Sequence, residues 1–316
     1  LNNIVNKSHF SLTADNVSEA LAGLRTLRDI LRWGFTQFQR AELFYGHGTD
    51  NAWDEIIYLA LAVLKLGPVL NPVWLDAHLT PEERTQLLHK ISQRINERLP
   101  TAYLVHESWF AGLPFYVDSR VLIPRSPMAE LIEQQFSPWV DPEKVVSILD
   151  LGTGSACIAI ACAYAFPDAK VDAVDYSEEA LAVAAMNVKR HQLDEQIDLI
   201  QSDDFERLKG RRYDIIISNP PYVDADDFAQ LPPEYRHEPA MALAAGTDGL
   251  DIVVRLLAQA KHHLQKGGLL IVEVGNSKAA LIQRFPHLPF VWLEFERGEA
   301  EVFLLTQEQL VDDKKI

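Results

Sequence analysis

Asn219-Pro220-Pro221-Tyr222 carries the strongest chemical signal in the chain. The Asn219 amide oxygen and the Pro220 carbonyl are neighbouring acceptors that can take both hydrogens of one planar NH2 group. Tyr222 could cover the face of that group. The preceding run, Tyr213-Asp214-Ile215-Ile216-Ile217-Ser218, is apolar and rich in β-branched residues, as expected of a buried parallel strand. Two prolines then forbid both ladder pairing and a helix start. Asn219 is therefore predicted at the carboxyl end of a strand, where open α/β sheets hold their ligands. The same residues would also suit a strand that merely ends in a proline turn.

A second group lies upstream. A predicted strand over residues 145–150 ends in Asp150-Leu151-Gly152-Thr153-Gly154, and a helix of small apolar residues runs from Cys157 to Tyr164. A second strand, residues 170–174, ends in Asp175. This is the nucleotide-binding spacing: glycines let a ligand approach the backbone, and the acid accepts ribose hydroxyls. A dinucleotide would call for a third glycine where Cys157 stands. S-adenosylmethionine has no phosphate and needs only Gly152 and Gly154, so the methyl donor is favoured over NAD. After a third strand, residues 197–200, comes Ser202-Asp203-Asp204-Phe205. Asp203, preferred to Asp204, is the candidate acceptor for an adenine amino group, with Phe205 packed on the ring. A solvated pair of acids is the alternative.

The elements that must position these residues fall into an ordered series. Leucines and phenylalanines from Leu21 to Phe38 show helical spacing between Asp15 and Arg40. A buried helix is expected over residues 53–64. Thr80-Pro81-Glu82-Glu83 gives an N-cap, a first-turn proline and a capping-box glutamate for another. Residues 1–99 are thus predicted as a helical domain, expected with Val223 to Gly249 to recognise the substrate, since neither is needed to hold a cofactor. Residues 100–125 read as a hairpin linker with strands at Thr101–Val105 and Phe115–Val117, and residues 126–316 as the catalytic domain. His47 is expected to be a loop histidine held by backbone neighbours rather than a catalytic base. Arg125, between two prolines, is a candidate for touching substrate or cofactor, or for a surface salt bridge. Val223 to Gly249 is long for a loop in a compact domain, which suits a functional lid. Residues 290–295 and 301–305 are expected to pair through a turn at Arg297-Gly298, and residues 311–316 to form a frayed tail.

Composition narrows the partners. The chain has 316 residues, 48% of them hydrophobic, with 45 acidic against 29 basic side chains and a formal net charge of -16. That balance opposes sequence-independent binding to nucleic acid, which depends on Lys and Arg neutralising phosphates, and favours a basic protein partner. No apolar run reaches membrane-spanning length, and Leu1-Asn2-Asn3-Ile4 lacks a signal-peptide pattern; the missing initiator Met is read as trimming or as a chosen boundary of the expressed segment. Cys157 and Cys162, the only cysteines, sit in an apolar Ala/Ile stretch and read as small buried residues rather than a disulfide or metal pair. A reducing cytoplasm fits, and no metal is expected.

Taken together, Val121-Leu122-Ile123-Pro124-Arg125, Asp150-Leu151-Gly152-Thr153-Gly154 and Asn219-Pro220-Pro221-Tyr222 resemble the HemK/Prm family of protein-(glutamine-N(5)) methyltransferases over nearly the whole chain. The continuation Ser126-Pro127-Met128-Ala129-Glu130, with Tyr45-Gly46-His47-Gly48-Thr49-Asp50-Asn51 and Glu234-Tyr235-Arg236-His237-Glu238-Pro239, is similar to the branch that modifies the third large-subunit ribosomal protein. Family loops commonly read Gly-Thr-Gly-Ser-Gly; Ala156 takes the last place here. The resemblance implies an α/β fold: a seven-stranded, Rossmann-like class I S-adenosylmethionine-dependent methyltransferase domain after a small helical domain and a β-hairpin linker. It implies S-adenosylmethionine bound by Asp150, Gly152, Thr153, Gly154, Asp175, Asp203, Phe205 and Asn219. It further implies a glutamine acceptor held by Asn219, Pro220, Pro221, Tyr222 and Arg125, with Asn219, Pro220 and Tyr222 catalytic. The partner would be a basic, unassembled ribosomal protein, with no membrane and no direct nucleic-acid substrate. The sister branch acting on peptide chain release factors is the alternative. A DNA adenine methyltransferase would share the tetrapeptide but should carry a basic target-recognition region, and none is found. A binding module without turnover is the non-enzymatic rival.

Overall fold

The structure, a computed structural model, describes residues 10–296 and 300–310. The chain gathers into two compact units, Leu1–Glu107 with Pro232–His237, and Ser108–Leu231 with Glu238–Ile316.

The first unit is helical: α1 (Ala14–Gly23), α2 (Leu27–Arg40), α3 (Ala52–Leu64), α4 (Pro81–Asn96) and α5 (Thr101–Val105). The stripe predicted as one helix is two. Gly23 ends α1, and Thr26 starts α2 with a capping box to Asp29. Thr80 and Glu83 cap α4 in the same way, as their spacing predicts. The predicted strand at Thr101–Val105 is the short helix α5. Its first four residues are buried, and it stops where His106 turns left-handed at φ 55°. Packing has overridden the β preference of that run. Ile56, Leu59, Leu87, Leu88 and Ile91 form the centre of this core.

Pro232–His237, expected as part of an irregular stretch, belongs to the helical unit. Glu234 is fully buried there; its Oε1 accepts from Phe44 N (3.1 Å), Arg98 Nη1 (3.2 Å) and Arg94 Nη1 (3.5 Å). Arg94 also donates from Nε to Glu55 at 2.5 Å. Burial pushes the Glu234 carboxyl up, but the Phe44 N–H and the two arginines outweigh it and hold the group below the ordinary range. The Tyr235 ring lies 4.4 Å from that of buried His47. A Cβ on Gly46 would come within 2.7 Å of the Tyr235 hydroxyl.

The second unit opens with a hairpin, β1 (Ser108–Phe110) and β2 (Leu113–Phe115), and α6 (Met128–Glu133). A sheet follows, built from β3 (Ser147–Leu151), β4 (Lys170–Asp175), β5 (Ile197–Gln201), β6 (Tyr213–Ser218), β7 (Leu264–Glu273), β8 (Val291–Leu293) and β9 (Val302–Thr306). Between them lie α7 (Cys157–Ala165), α8 (Glu178–Arg190), α9 (Ala225–Gln230), α10 (Asp251–His263) and α11 (Lys278–Arg284). The strand order is β5-β4-β3-β6-β7-β9-β8, with β9 antiparallel to β7 and β8 antiparallel to β9. The terminal strands pair as predicted; the Arg297-Gly298 turn, the Leu1-Asn2-Asn3-Ile4 start and the 311–316 tail lie outside the described residues.

Alternate residues of the central strands supply the two faces. Ile148, Ile215, Ile217 and Ile271 belong to one core, Leu149, Leu151, Ile216 and Leu270 to the other. This double burial explains the continuous apolar runs. The order reverses at β3, which lies between β4 and β6, so a crevice is expected beyond the carboxyl ends of β3 and β6. Leu151 pairs with Ser218 across these strands. The next residues, Gly152 and Asn219, therefore emerge side by side.

Candidate active site

A cavity of about 410 Å³ opens at that crevice, within the range of small-molecule sites. Its wall includes Gly152, Thr153 and Gly154 from the turn after β3, Asp175 after β4, Asp203 and Asp204 after β5, and Asn219, Pro220 and Pro221 after β6. Arg125 and Ser126 line it as well.

The glycine turn is shaped for close approach. Gly152 and Gly154 have φ of 77° and 55°, in the left-handed region that suits glycine. A Cβ added at either would meet nothing within 4 Å, so it would take up open space beside the loop rather than clash. Ala156, the departure in this loop, is also left-handed at φ 63° and is buried. Asp175 fastens the turn: one carboxylate oxygen accepts from Gly154 N at 2.9 Å, the other from Ser177 N at 2.8 Å. Its pKa is raised by burial, against these backbone bonds.

Asp150 is fully buried behind the turn. Its Oδ2 accepts from Thr153 Oγ1 (2.6 Å) and Ala159 N (3.0 Å), while Oδ1 has no partner. Burial pushes this carboxyl up to about 7, with the Thr153 and Ala159 bonds opposing and the Asp175 charge adding to the rise. Asp150 does not line the cavity; it bears on a bound ligand through Thr153 and the Ala159 N–H, which it fixes from behind.

The tetrapeptide is braced from beneath. Ser218 Oγ donates to Leu151 O (2.6 Å), and the Tyr222 carbonyl accepts from Ser277 Oγ (3.0 Å). The Tyr222 hydroxyl donates to Glu273 at 2.9 Å. Its ring presses on Gly275, where a Cβ would come within 2.4 Å.

Two curated relatives cover this whole arrangement. The ribosomal protein uL3 glutamine methyltransferase of Francisella tularensis is 43% identical over 94% of this chain and 95% of its own length. The enzyme of that name from Bordetella pertussis is 48% identical over 91% of this chain and 97% of its own. The chain belongs to the ribosomal protein uL3 glutamine methyltransferase family. The model of the methyltransferase small domain matches residues 135–231. Among solved structures, the hMettl16 catalytic domain in complex with MAT2A 3'UTR hairpin 6 overlays with a TM-score of 0.51 at 16% identity, over 78% of this chain and 91% of its own. That likeness shows a shared methyltransferase fold.

Within this uL3 methyltransferase fold three expected residues, Asp150, Phe205 and Tyr222, stand apart from the cavity wall. Phe205 is buried in the core and stacked on His263 at 4.6 Å and 16°, so its ring is committed away from a ligand. Tyr222 is turned toward Glu273. Arg125, open between two readings in the sequence, is clamped by Glu238: Nη1–Oε1 is 2.6 Å and Nη2–Oε2 2.8 Å, and Glu238 also accepts from Ile123 N. Arg255 bridges the acid pair, donating to Asp203 at 3.2 Å and to Asp204 at 2.6 Å. Asp204 is the deeper of the two and left-handed at φ 44°.

Sequence reasoning missed Tyr176, Glu238, Arg255 and Glu273. Tyr176 lines the cavity directly after Asp175, a position that could have been read. The others act through partners far along the chain. No group of three or more His, Cys, Asp or Glu suited to a metal occurs among the described residues, and both cysteines are free. No helix among the described residues is long and apolar enough to cross a membrane.

Proposed function

We propose that this protein transfers a methyl group from S-adenosylmethionine to the side-chain amide nitrogen of a glutamine in ribosomal protein uL3, giving N(5)-methylglutamine and S-adenosylhomocysteine. The observation that carries the reading is the emergence of Asn219-Pro220-Pro221 beside the Gly152–Gly154 turn in one cavity.

S-adenosylmethionine, when bound, supplies an electrophilic methyl group on a sulfonium. Gly152, Thr153 and Gly154 would hold it along the backbone, Asp175 would accept its ribose hydroxyls, and Asp203 or the deeper Asp204 would face its adenine. Asp150 would act from behind the loop by fixing Thr153 and the Ala159 N–H. An amide nitrogen is a weak nucleophile because its lone pair is delocalised into the carbonyl. Asn219 Oδ1 and the Pro220 carbonyl, accepting both N–H bonds, raise electron density on that nitrogen and fix its direction. They also stabilise the positive charge it gains, so positioning and electrostatics carry the rate. The proton can leave to water afterwards, so no histidine is assigned as base.

Charge supports a basic protein substrate. The catalytic unit holds 32 acidic against 18 basic residues, the helical unit 13 against 11. Long-range attraction therefore originates on the catalytic unit, including exposed Asp226 and Asp227 on α9, rather than on the helices. An unassembled uL3 in the cytoplasm would present both its basic surface and its glutamine.

The test is a radiolabelled-methyl assay on free uL3, a release factor and duplex DNA. Free uL3 should be labelled, and more slowly as salt shortens the Debye length to below about 10 Å. Preferential labelling of the release factor would overturn the substrate; labelled DNA would overturn the protein-acceptor reading.

A further inference from the structure

Pro239, Met241, Ala242 and Ala244 line the cavity from an irregular segment that is tied at both ends. At its far end Val223 N donates to Leu243 O and Ala245 N to Val223 O, both at 2.9 Å, so the segment is fastened to the residue after Tyr222. Its near end is Glu238, where the chain re-enters the catalytic unit. The buried Glu238 carboxylate accepts three N–H groups from one stretch: Arg125 Nη1 at 2.6 Å, Arg125 Nη2 at 2.8 Å and Ile123 N at 3.0 Å. Arg125 Nη1 also donates to Ile123 O at 3.3 Å. A forked pair of this kind fixes direction as well as distance.

Both anchors belong to one half of the sheet edge. Val223 follows β6 and its tetrapeptide, and Ser126, next to Arg125, donates to Glu273 at the end of β7 at 2.5 Å. The residues read as donor contacts, Gly152, Gly154, Asp175 and Asp203, follow β3, β4 and β5 instead. We infer that Arg125 and Glu238 form a positioning clamp that holds the 239–244 wall beside the acceptor, and that Arg125 serves the glutamine through this wall rather than by touching it. Both terminal nitrogens of its guanidinium are already engaged by Glu238. The wall's proline, methionine and alanines suit the two methylenes of a glutamine side chain, whose amide meets Asn219 and Pro220. A wall that drifts by about 1 Å leaves that amide room to turn from the methyl group, at a cost of about 100-fold in rate. Removing one partner strands the other's largely buried charge, which drives the segment outward.

The clamp's role presupposes the proposed glutamine transfer, and the experiment keeps the two apart. Arg125→Ala, Glu238→Ala and the double variant are compared by kcat on uL3, donor Kd by calorimetry and hydrogen exchange at residues 239–245. Each single variant should lose about 10–100-fold in kcat with donor Kd within about threefold of the parent. The double should lose no more than about threefold beyond the worse single. Exchange should quicken at the amides of residues 239–245 and stay unchanged at residues 215–218. Losses that multiply in the double would make Arg125 a direct substrate contact and overturn the clamp. So would a Glu238→Ala kcat within about threefold of the parent, a donor affinity that falls in step with kcat, or unchanged exchange at residues 239–245. Should an alanine variant fail to fold, Arg125→Lys and Glu238→Asp keep both charges but not the fork, and form the same cycle: coupled losses support the clamp, independent or absent losses overturn it. A parent that labels no uL3 would overturn the function instead, leaving exchange and donor affinity to judge the clamp.

Discussion

Replacing Asp175 by alanine separates two jobs that one carboxylate can do. The group has about four lone-pair directions, and the N–H groups of Gly154 and Ser177 take two of them. The other two remain for the ribose diol of a donor. Hydrogen bonds to a charged acceptor are worth about 1.5–3 kcal/mol. At a factor of ten for each 1.4 kcal/mol, S-adenosylmethionine should bind Asp175→Ala about 10–150-fold more weakly. Calorimetry gives that number but does not say whether the ribose contact or the slackened Gly154 turn is responsible. A cycle with an S-adenosylhomocysteine analogue lacking the 2′- and 3′-hydroxyls does. If Asp175 reads the ribose, the analogue should bind parent and variant within about threefold of each other. Equal losses for the natural ligand and the analogue would refute the ribose contact. An unchanged affinity for the natural donor would remove Asp175 from the site.

Asn219→Ala should lower kcat by at least about 100-fold while leaving donor affinity within about threefold, and Asn219→Asp should also be poor because it adds charge; near-parental turnover would refute the acceptor mechanism. Asp150, held near pKa 7 by burial against about 4 in the unfolded chain, gives its full stability below pH 4 and loses it as pH rises through 7. Its contribution to unfolding free energy should fall by up to about 1.4 kcal/mol per pH unit between those limits. Urea titrations from pH 5 to 8 should show a shallower fall for Asp150→Asn than for the parent; parallel curves would refute the raised pKa.

The catalytic edge could be read from the sequence because its signals are local. Ile215–Ile217 states a buried strand, two prolines end it, and Gly152 and Gly154 after the adjacent strand and Asp175 after the one beyond mark the ends of their own. Parallel pairing brings such strand ends together without any further instruction. What escaped has other causes. Phe205 lies beside a correct strand end, but its ring turned to the core and to His263, and side-chain direction in a loop leaves no periodic trace. Thr101–Val105 has strand composition, yet its burial in the helical unit decided for a helix. The break between α1 and α2 was written at Gly23 and Thr26 and was outweighed by the leucine stripe. Glu234 meets Phe44 190 residues away, Glu238 meets Arg125 at 113 and Glu273 meets Ser126 at 147, separations at which pattern says nothing.

Glu234 also sets a timetable for synthesis. The helices whose interior it completes have all been translated by Glu107, but the acid that meets Arg94, Arg98 and the Phe44 amide is still 127 residues from being made. At about 5–20 residues per second that is a wait of roughly 6–25 s. Through it Arg94 has Glu55 and the Phe44 carbonyl, and Arg98 the Glu42 and Ala41 carbonyls, but the bonds that these arginines and the Phe44 amide make to Glu234 must wait. The nascent helices can close their apolar core from residues 12–104 but lack this acid until Glu234 itself has been polymerised. A chain cut short before Glu234 would carry an unfinished amino-terminal half, which quality control could recognise without reference to the catalytic residues.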